Sequence, residues 1–266
     1  LEDIDICIEI IDLNEREFDP DAKSAGPVHV EEILAGYFDE VYSKLLMKDG
    51  IATAFINIHG DDVRQTYFPD IYVRPGSDDW ELALLEMESI VSNAHSDWRI
   101  HLSINGKDEP TKELISRHGY SFMRKYWGME ANVPENTEFV IPDGIEIRNV
   151  DVARDVELWH AAHQDAFSTH FGFEPRPIDK WRELVLGATG LDLAGTYLMI
   201  KNGRCIGFLE SSSELEHEGS GYINTIGVVK SEQGKGYGSL LIKQALHYAA
   251  TKGFKKVNLN VDTENV

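Results

Sequence analysis

Cysteine is nearly absent: only Cys7 and Cys205 occur in 266 residues, too few for a disulfide framework. Both fall in runs that alternate like strands, and this fits a reduced compartment. Neither has a Cys or His at zinc-ligand spacing, so no metal is expected. No run reaches the roughly 18 apolar residues that span a bilayer, and the opening Leu-Glu-Asp-Ile-Asp lacks the basic and apolar regions of a secretory signal. The expectation is a cytoplasmic protein without membrane association. Positive charge is scarce as well, with 25 Lys and Arg against 46 Asp and Glu and a net charge of -21. Phosphate backbones are bound by clustered Lys and Arg, so no nucleic-acid partner is expected. An acidic surface aids solubility and attracts cationic ligands such as amines.

What is present is a globular composition, 42% hydrophobic and 27% charged, in a chain long enough for two domains. Its most informative stretch is Gln233-Gly234-Lys235-Gly236-Tyr237-Gly238. It lies between an apolar strand-like run, residues 222–229, and an amphipathic helix-like run, residues 238–252, with Leu241, Ile242, Ala245, Leu246 and Ala249 on one stripe and Gly253 as the stop. Glycines there let the chain turn tightly and aim successive N–H groups at an anion, which the helix dipole also favours. The run predicts a pyrophosphate cradle. Six lysines between positions 228 and 258 stand against the single acid Glu232, which suits an anionic ligand. A Walker loop needs Gly-Lys-Ser/Thr after a longer gap, and a dinucleotide loop needs its first glycine directly at the strand end, so both fit less well.

The pattern resembles motif A of the GNAT superfamily, the Gcn5-related N-acetyltransferases, with Gln233, Gly236 and Gly238 at its three defining positions. The resemblance implies acetyl-CoA as cosubstrate and direct attack by the primary amine of a small-molecule acceptor. It further implies that Gly234, Lys235, Gly236, Tyr237, Gly238 and Ser239 hold the pyrophosphate, and that the backbone of Ile226, Gly227 and Val228 pairs with the pantetheine. Asn265, after the strand-like residues 256–261, falls where the family has an asparagine near that arm.

An internal repeat follows. Residues 51–59, 68–73, 79–94 and 99–105 repeat the strand, strand, helix, strand order found around the loop, with Lys125 opening a closing strand that ends near Ala131. The sequence thus predicts an α/β (α+β) protein of two tandem GNAT-like domains, each a mixed, mostly antiparallel sheet flanked by helices. Residues 1–139 form the first and 140–266 the second, divided in the Pro- and Gly-punctuated segment after Pro134. By analogy about 30 further residues would complete the second copy. Where the second copy has its glycines, the first has Ser77-Asp78-Asp79-Trp80-Glu81, whose carboxylates would repel a pyrophosphate. The first copy is therefore expected to be degenerate, with a structural or substrate-shaping role.

The general base is less evident. Several relatives place a glutamate six residues before the strand-ending valine, and here that position is Tyr222. Asn224 shares its strand parity and is a candidate to hold a water, while Glu210, one hairpin arm earlier, is the candidate carboxylate. The stretch from His160 to Trp181, with His163, Asp165, His170, Phe171, Phe173 and Arg176, is the candidate acceptor wall. The segment 166–181 is similar to that of mycothiol synthase-like acetyltransferases, which carry the glutamate that Tyr222 replaces. The contrasting reading, supported by the lack of an obvious base, is a non-catalytic acyl-CoA-binding protein.

Overall fold

The computed structural model describes residues 2–35 and 40–264, so Asn265 lies outside the described residues. Its contacts form two compact units, Leu1–Lys125 and Tyr126–Val266.

In the first unit α1 (Glu2–Phe18) and α2 (Gly26–Ala35) precede the antiparallel β1 (Glu40–Lys48), β2 (Ile51–Asp61) and β3 (Thr66–Val73), followed by α3 (Trp80–Ala94), β4 (Arg99–Ile100) and α4 (Glu109–Arg117). Ile56, Ile58, Tyr67 and Val73 pack on Leu84, Met87 and Val91 of α3, while Phe55 packs on the opposite side with Cys7, Ile10 and Val30. Cys7 therefore lies in a helix rather than a strand. The buried positions Cys7, Ile10, Ile11 and Asn14 repeat every three to four residues, the helical period, and this outweighs the local alternation. The strand expected over 99–105 shrinks to Arg99–Ile100, which pairs in parallel with Thr66 and Tyr67.

The second unit is a six-stranded sheet in the order β5-β10-β9-β8-β7-β6, built from β5 (Tyr126–Asn132), β6 (Ile145–Asn149), β7 (Leu191–Lys201), β8 (Arg204–Ser212), β9 (Ser220–Val228) and β10 (Lys256–Asp262). Helices α5 (Val152–Phe167) and α6 (Ile178–Gly187) cover one face through Trp159, Trp181, Leu198 and Phe208. Helix α7 (Tyr237–Thr251) covers the other through Leu241, Ala245 and Ala249 against Leu209 and Ile223. The division falls at Lys125/Tyr126 and not at 139/140. The strand expected to close the first copy is β5, and it pairs antiparallel with β10 from Asn132↔Lys256 to Tyr126↔Asp262. The segment after it is consequently a loop of the second unit, where Phe139 sets its ring edge against His247 of α7.

Parallel pairing between β9 and β10 covers only Ser220↔Lys256, Gly221↔Val257 and Tyr222↔Asn258. Beyond these pairs β10 follows β5 while β9 stays with β8, up to Val228↔Gly207. Among the described residues, the outer edge of β9 past Tyr222 has no strand partner. On the α5 side, Gly227 admits the helix because it has no side chain: a Cβ there would lie 2.8 Å from the Phe208 ring and 3.0 Å from Ala166 Cβ. Gly227→Ala is expected to destabilise the protein by about 1–3 kcal/mol through overpacking, read as a lower denaturant midpoint at unchanged slope.

Candidate functional site

The loop from β9 to α7 is shaped by two left-handed glycines, Gly234 at φ 73° and Gly236 at φ 83°, the latter being the N-cap of α7. A Cβ at Gly234, Gly236 or Gly238 would meet nothing within 4 Å, so the loop faces open space. No backbone hydrogen bond within the described residues takes up the N–H groups of residues 234–239; the first helical bond is that of Leu240 to the Gly236 carbonyl, at 3.3 Å. A row of free N–H groups at the positive end of a helix is the arrangement an anion requires.

Several side chains brace this row. Gln233 Nε2 donates to the Val228 carbonyl at 3.0 Å, so it ties the loop to β9 and does not reach outward. Asp165, at the end of α5, accepts from the Lys230 N–H at 2.7 Å. Glu232 binds both Lys201 at 3.0 Å and Lys235 at 3.1 Å, and these bonds hold its carboxyl below the usual range. Lys201 also donates to the Tyr237 hydroxyl at 3.2 Å. The lysine excess seen in the sequence is thus partly neutralised within the fold, as Glu216 engages Lys252 and Glu130 engages Lys256.

Glu210, the candidate carboxylate, is buried, being only 2% exposed. It stands opposite Thr225 in the β8–β9 register, on the sheet face under α5. Burial pushes its carboxyl up to about 7, while hydrogen bonds from the Thr225 hydroxyl and the Trp159 indole oppose that rise. The Trp159 Nε1–H meets Glu210 Oε1 at 2.9 Å. Trp159 is itself fixed edge-to-face against Trp181, with ring centroids 5.1 Å apart. Register then slips by one residue, Ser211 facing Ile223, so Asn224 is the extra residue of a β-bulge. Asn224 is exposed at that bulge, and the parity expected to align it with Tyr222 and Ile226 is broken there. Tyr222 accepts a hydrogen bond from Asn260 Nδ2 at 3.2 Å, and burial lifts its phenol to about 12.

The residues of the expected acceptor wall mostly hold the wall together. His160 Nε2 meets the Arg176 carbonyl at 2.9 Å, and Gln164 Oε1 accepts the Arg176 N–H at 2.9 Å. His163 packs among Phe167, Trp181 and Phe208. Sequence reasoning missed Trp159, Thr225 and Lys201. Trp159 lies one helical turn before His163, a spacing that would have placed it on the same face.

Known proteins resemble this chain in sequence and in fold. Residues 156–266 match the model of the acetyltransferase (GNAT) family. A GCN5-related N-acetyltransferase from Sphaerobacter thermophilus superposes with a TM-score of 0.76 at 19% identity, covering 99% of this chain and 85% of that one. A tandem GNAT protein from the clavulanic acid biosynthesis pathway superposes at 0.72 and 13% identity, covering 100% and 88%. The family match lies within the second unit, and the structural likeness shows that the fold of the chain is that of tandem GNAT proteins. In sequence it is similar to a mycothiol acetyltransferase of Thermomonospora curvata, 28% identical over 60% of this chain and 54% of the relative, and to one of Streptomyces griseus, 24% identical over 92% and 80%. The chain thus spans about half the length of the first relative. No helix among the described residues is long and apolar enough to cross a membrane.

The buried Glu210 also makes stability depend on pH. Between the ordinary glutamate range and about 7 the folded state keeps a proton that the unfolded chain releases, so stability falls as pH rises through that window. Glu210→Gln is expected to remove this contribution, so that the melting temperature drops less between about pH 5 and about pH 8 in the variant than in the parent.

Proposed function

We propose that the protein is an N-acetyltransferase whose second unit binds acetyl-CoA and moves its acetyl group to the primary amine of a small acceptor. The observation that carries this reading is the row of unbonded N–H groups at residues 234–239, set beside the unpaired edge of β9. The pyrophosphate would lie on Gly234, Lys235, Gly236, Tyr237, Gly238 and Ser239. The pantetheine would lie along Ile226 and Gly227 as an added strand does. Val228 offers its N–H side only, since Gln233 occupies its carbonyl. Bound acetyl-CoA supplies the thioester carbonyl that the amine attacks.

The chain's own contribution to the chemistry is the removal of a proton from the acceptor, because an ammonium has no lone pair to attack with. Glu210 is assigned this task. A carboxylate held near 7 has about the basicity that general-base catalysis at neutral pH needs. Asn224, exposed at the bulge, has an amide that orients a water or the acceptor but does not take a proton. The acceptor class is a small primary amine, and the relatives' name makes a mycothiol precursor one member to test. Tyr222, in place of the family glutamate, is the difference that leaves that acceptor unassigned.

The first unit is assigned no acetyl-CoA site. At the start of α3, Asp79 is buried and its carboxyl is held low by hydrogen bonds from Thr53 and Ser77, so a negative charge occupies the place of the glycines. Gly236→Asp is expected to abolish acetyl-CoA binding, through a strained left-handed backbone and a misplaced charge, whereas Asp79→Asn leaves it unchanged. Titration calorimetry checks both, and equal losses from the two changes would count against the assignment. Glu210→Gln is expected to lower kcat on the order of a hundredfold at unchanged acetyl-CoA affinity, measured across a panel of glucosamine, ethanolamine, spermidine and a mycothiol precursor amine. Cofactor binding without turnover of any amine in the panel would favour the non-catalytic alternative.

A further inference from the structure

Glu210 has a task it cannot perform alone. It is 2% exposed and sealed beneath α5, so a hydrated ammonium cannot reach its oxygens. Two groups hydrogen-bond the carboxylate, and they differ in kind. The Trp159 indole N–H, 2.9 Å from Oε1, only donates and has no acceptor site. It fixes the carboxylate and is itself wedged against Trp181. The Thr225 hydroxyl also bonds Glu210, but an O–H is donor and acceptor at once. Thr225 is only partly buried and directly follows the bulged, exposed Asn224 on the strand whose outer edge is unpaired.

We propose that Thr225 relays the acceptor's proton to Glu210, which deepens and rests on the reading of Glu210 as the base. The ammonium N–H bond breaks as its proton joins Thr225 Oγ1, and the hydroxyl's original proton passes to a Glu210 carboxylate oxygen. The amine becomes neutral, Glu210 becomes a carboxylic acid, and Thr225 is unchanged. As the C–S bond breaks, the reverse shift through the same hydroxyl hands that proton to the thiolate sulfur, and the second proton of the nitrogen is lost to water, so the products are the neutral amide and the free thiol. The carboxylate need not move, which is consistent with its anchoring by Trp159. Other titratable groups on this face are Asp155, buried and paired with Arg148 and Arg154, His163 on α5, and Cys205 on β8. Among the described residues no charged neighbour contributes to the shift of Glu210, so its own proton dominates the expected pH response.

Thr225→Val keeps the side-chain shape and removes the hydroxyl, while Thr225→Ser keeps the hydroxyl. With acetyl-CoA and whichever amine of the panel the parent acetylates, Thr225→Val is expected to lose on the order of a hundredfold in kcat at unchanged KM for acetyl-CoA. Thr225→Ser should recover to within a few-fold of the parent. The infrared carboxyl band of Glu210, assigned by its absence in Glu210→Gln, should titrate at higher pH in Thr225→Val, because a donor to the charged form is gone, and at the parental pH in Thr225→Ser. Acetyl-CoA binding by calorimetry verifies that both variants are folded. Parental turnover in Thr225→Val, or Thr225→Ser no faster than Thr225→Val, would overturn the relay. If Glu210→Gln loses turnover while Thr225→Val keeps it, only the relay fails; if Glu210→Gln keeps full turnover, the base reading fails and the relay with it.

Discussion

The second unit is organised around one departure from regular pairing. Strands β9 and β10 run parallel for three residue pairs and then separate, β10 keeping only the antiparallel ladder with β5 that runs along all seven of its residues. A sheet interior that opens leaves N–H and C=O groups without partners, and such groups are costly unless something else satisfies them. Here that opening leads directly into the glycine loop, where the N–H groups of residues 234–239 likewise find no backbone partner among the described residues. The two sets of unsatisfied groups are contiguous, one along a strand edge and one at a helix start. An extended ligand with an anionic middle would satisfy both at once, and acetyl-CoA has that form.

The two units show how much chemistry a shared register can carry or lose. Val73 pairs with Ala54 in the first as Val228 pairs with Gly207 in the second. Counting three residues inward along each strand brings Asn57 opposite Asp70, and Glu210 opposite Thr225. The first unit therefore has an amide where the second has its buried carboxylate, and its acid stands one strand over. Asp70 is pushed up to about 6 by burial, but it has no indole anchor of the Trp159 kind among its hydrogen-bond partners in the described residues. Combined with Asp79 at the start of α3, this supports reading the first unit as a copy that kept the scaffold and changed both the cradle and the base position.

What the sequence made legible was local. The glycine spacing, the apolar stripe of α7 and the flanking strands lie within about forty positions of one another, where periodicity and turn chemistry act directly. Long-range features were hidden. The burial of Glu210 depends on Trp159, 51 residues away, and on a helix that sequence alone does not dock. The bulge at Asn224 breaks a parity that was counted as continuous, which is how a one-residue insertion defeats period-two reasoning. The boundary was misplaced because the pairing of β5 with β10 joins segments about 130 residues apart in sequence, whereas the Pro and Gly punctuation of the following loop was conspicuous and local.

The position of the proposed base follows from the same geometry. Tyr222 belongs to the last pair before β9 and β10 separate, opposite Asn258, and its hydroxyl is bonded by Asn260 on the neighbouring strand. Its ring sits at the apex of the opening and its phenol, lifted to about 12 by burial, stays protonated at neutral pH, so this residue cannot serve as a base there. The carboxylate proposed for that task, Glu210, lies on the next strand at a site where burial alone would make it a poor anion. Thr225 and Trp159 counter that burial: without them the carboxyl would be pushed higher still, and with full solvation it would be a weaker base toward an ammonium. Partial compensation of a large desolvation cost is what places the carboxyl near neutrality, so the packing of α5 on β8 and β9 sets the basicity of the group as well as its place.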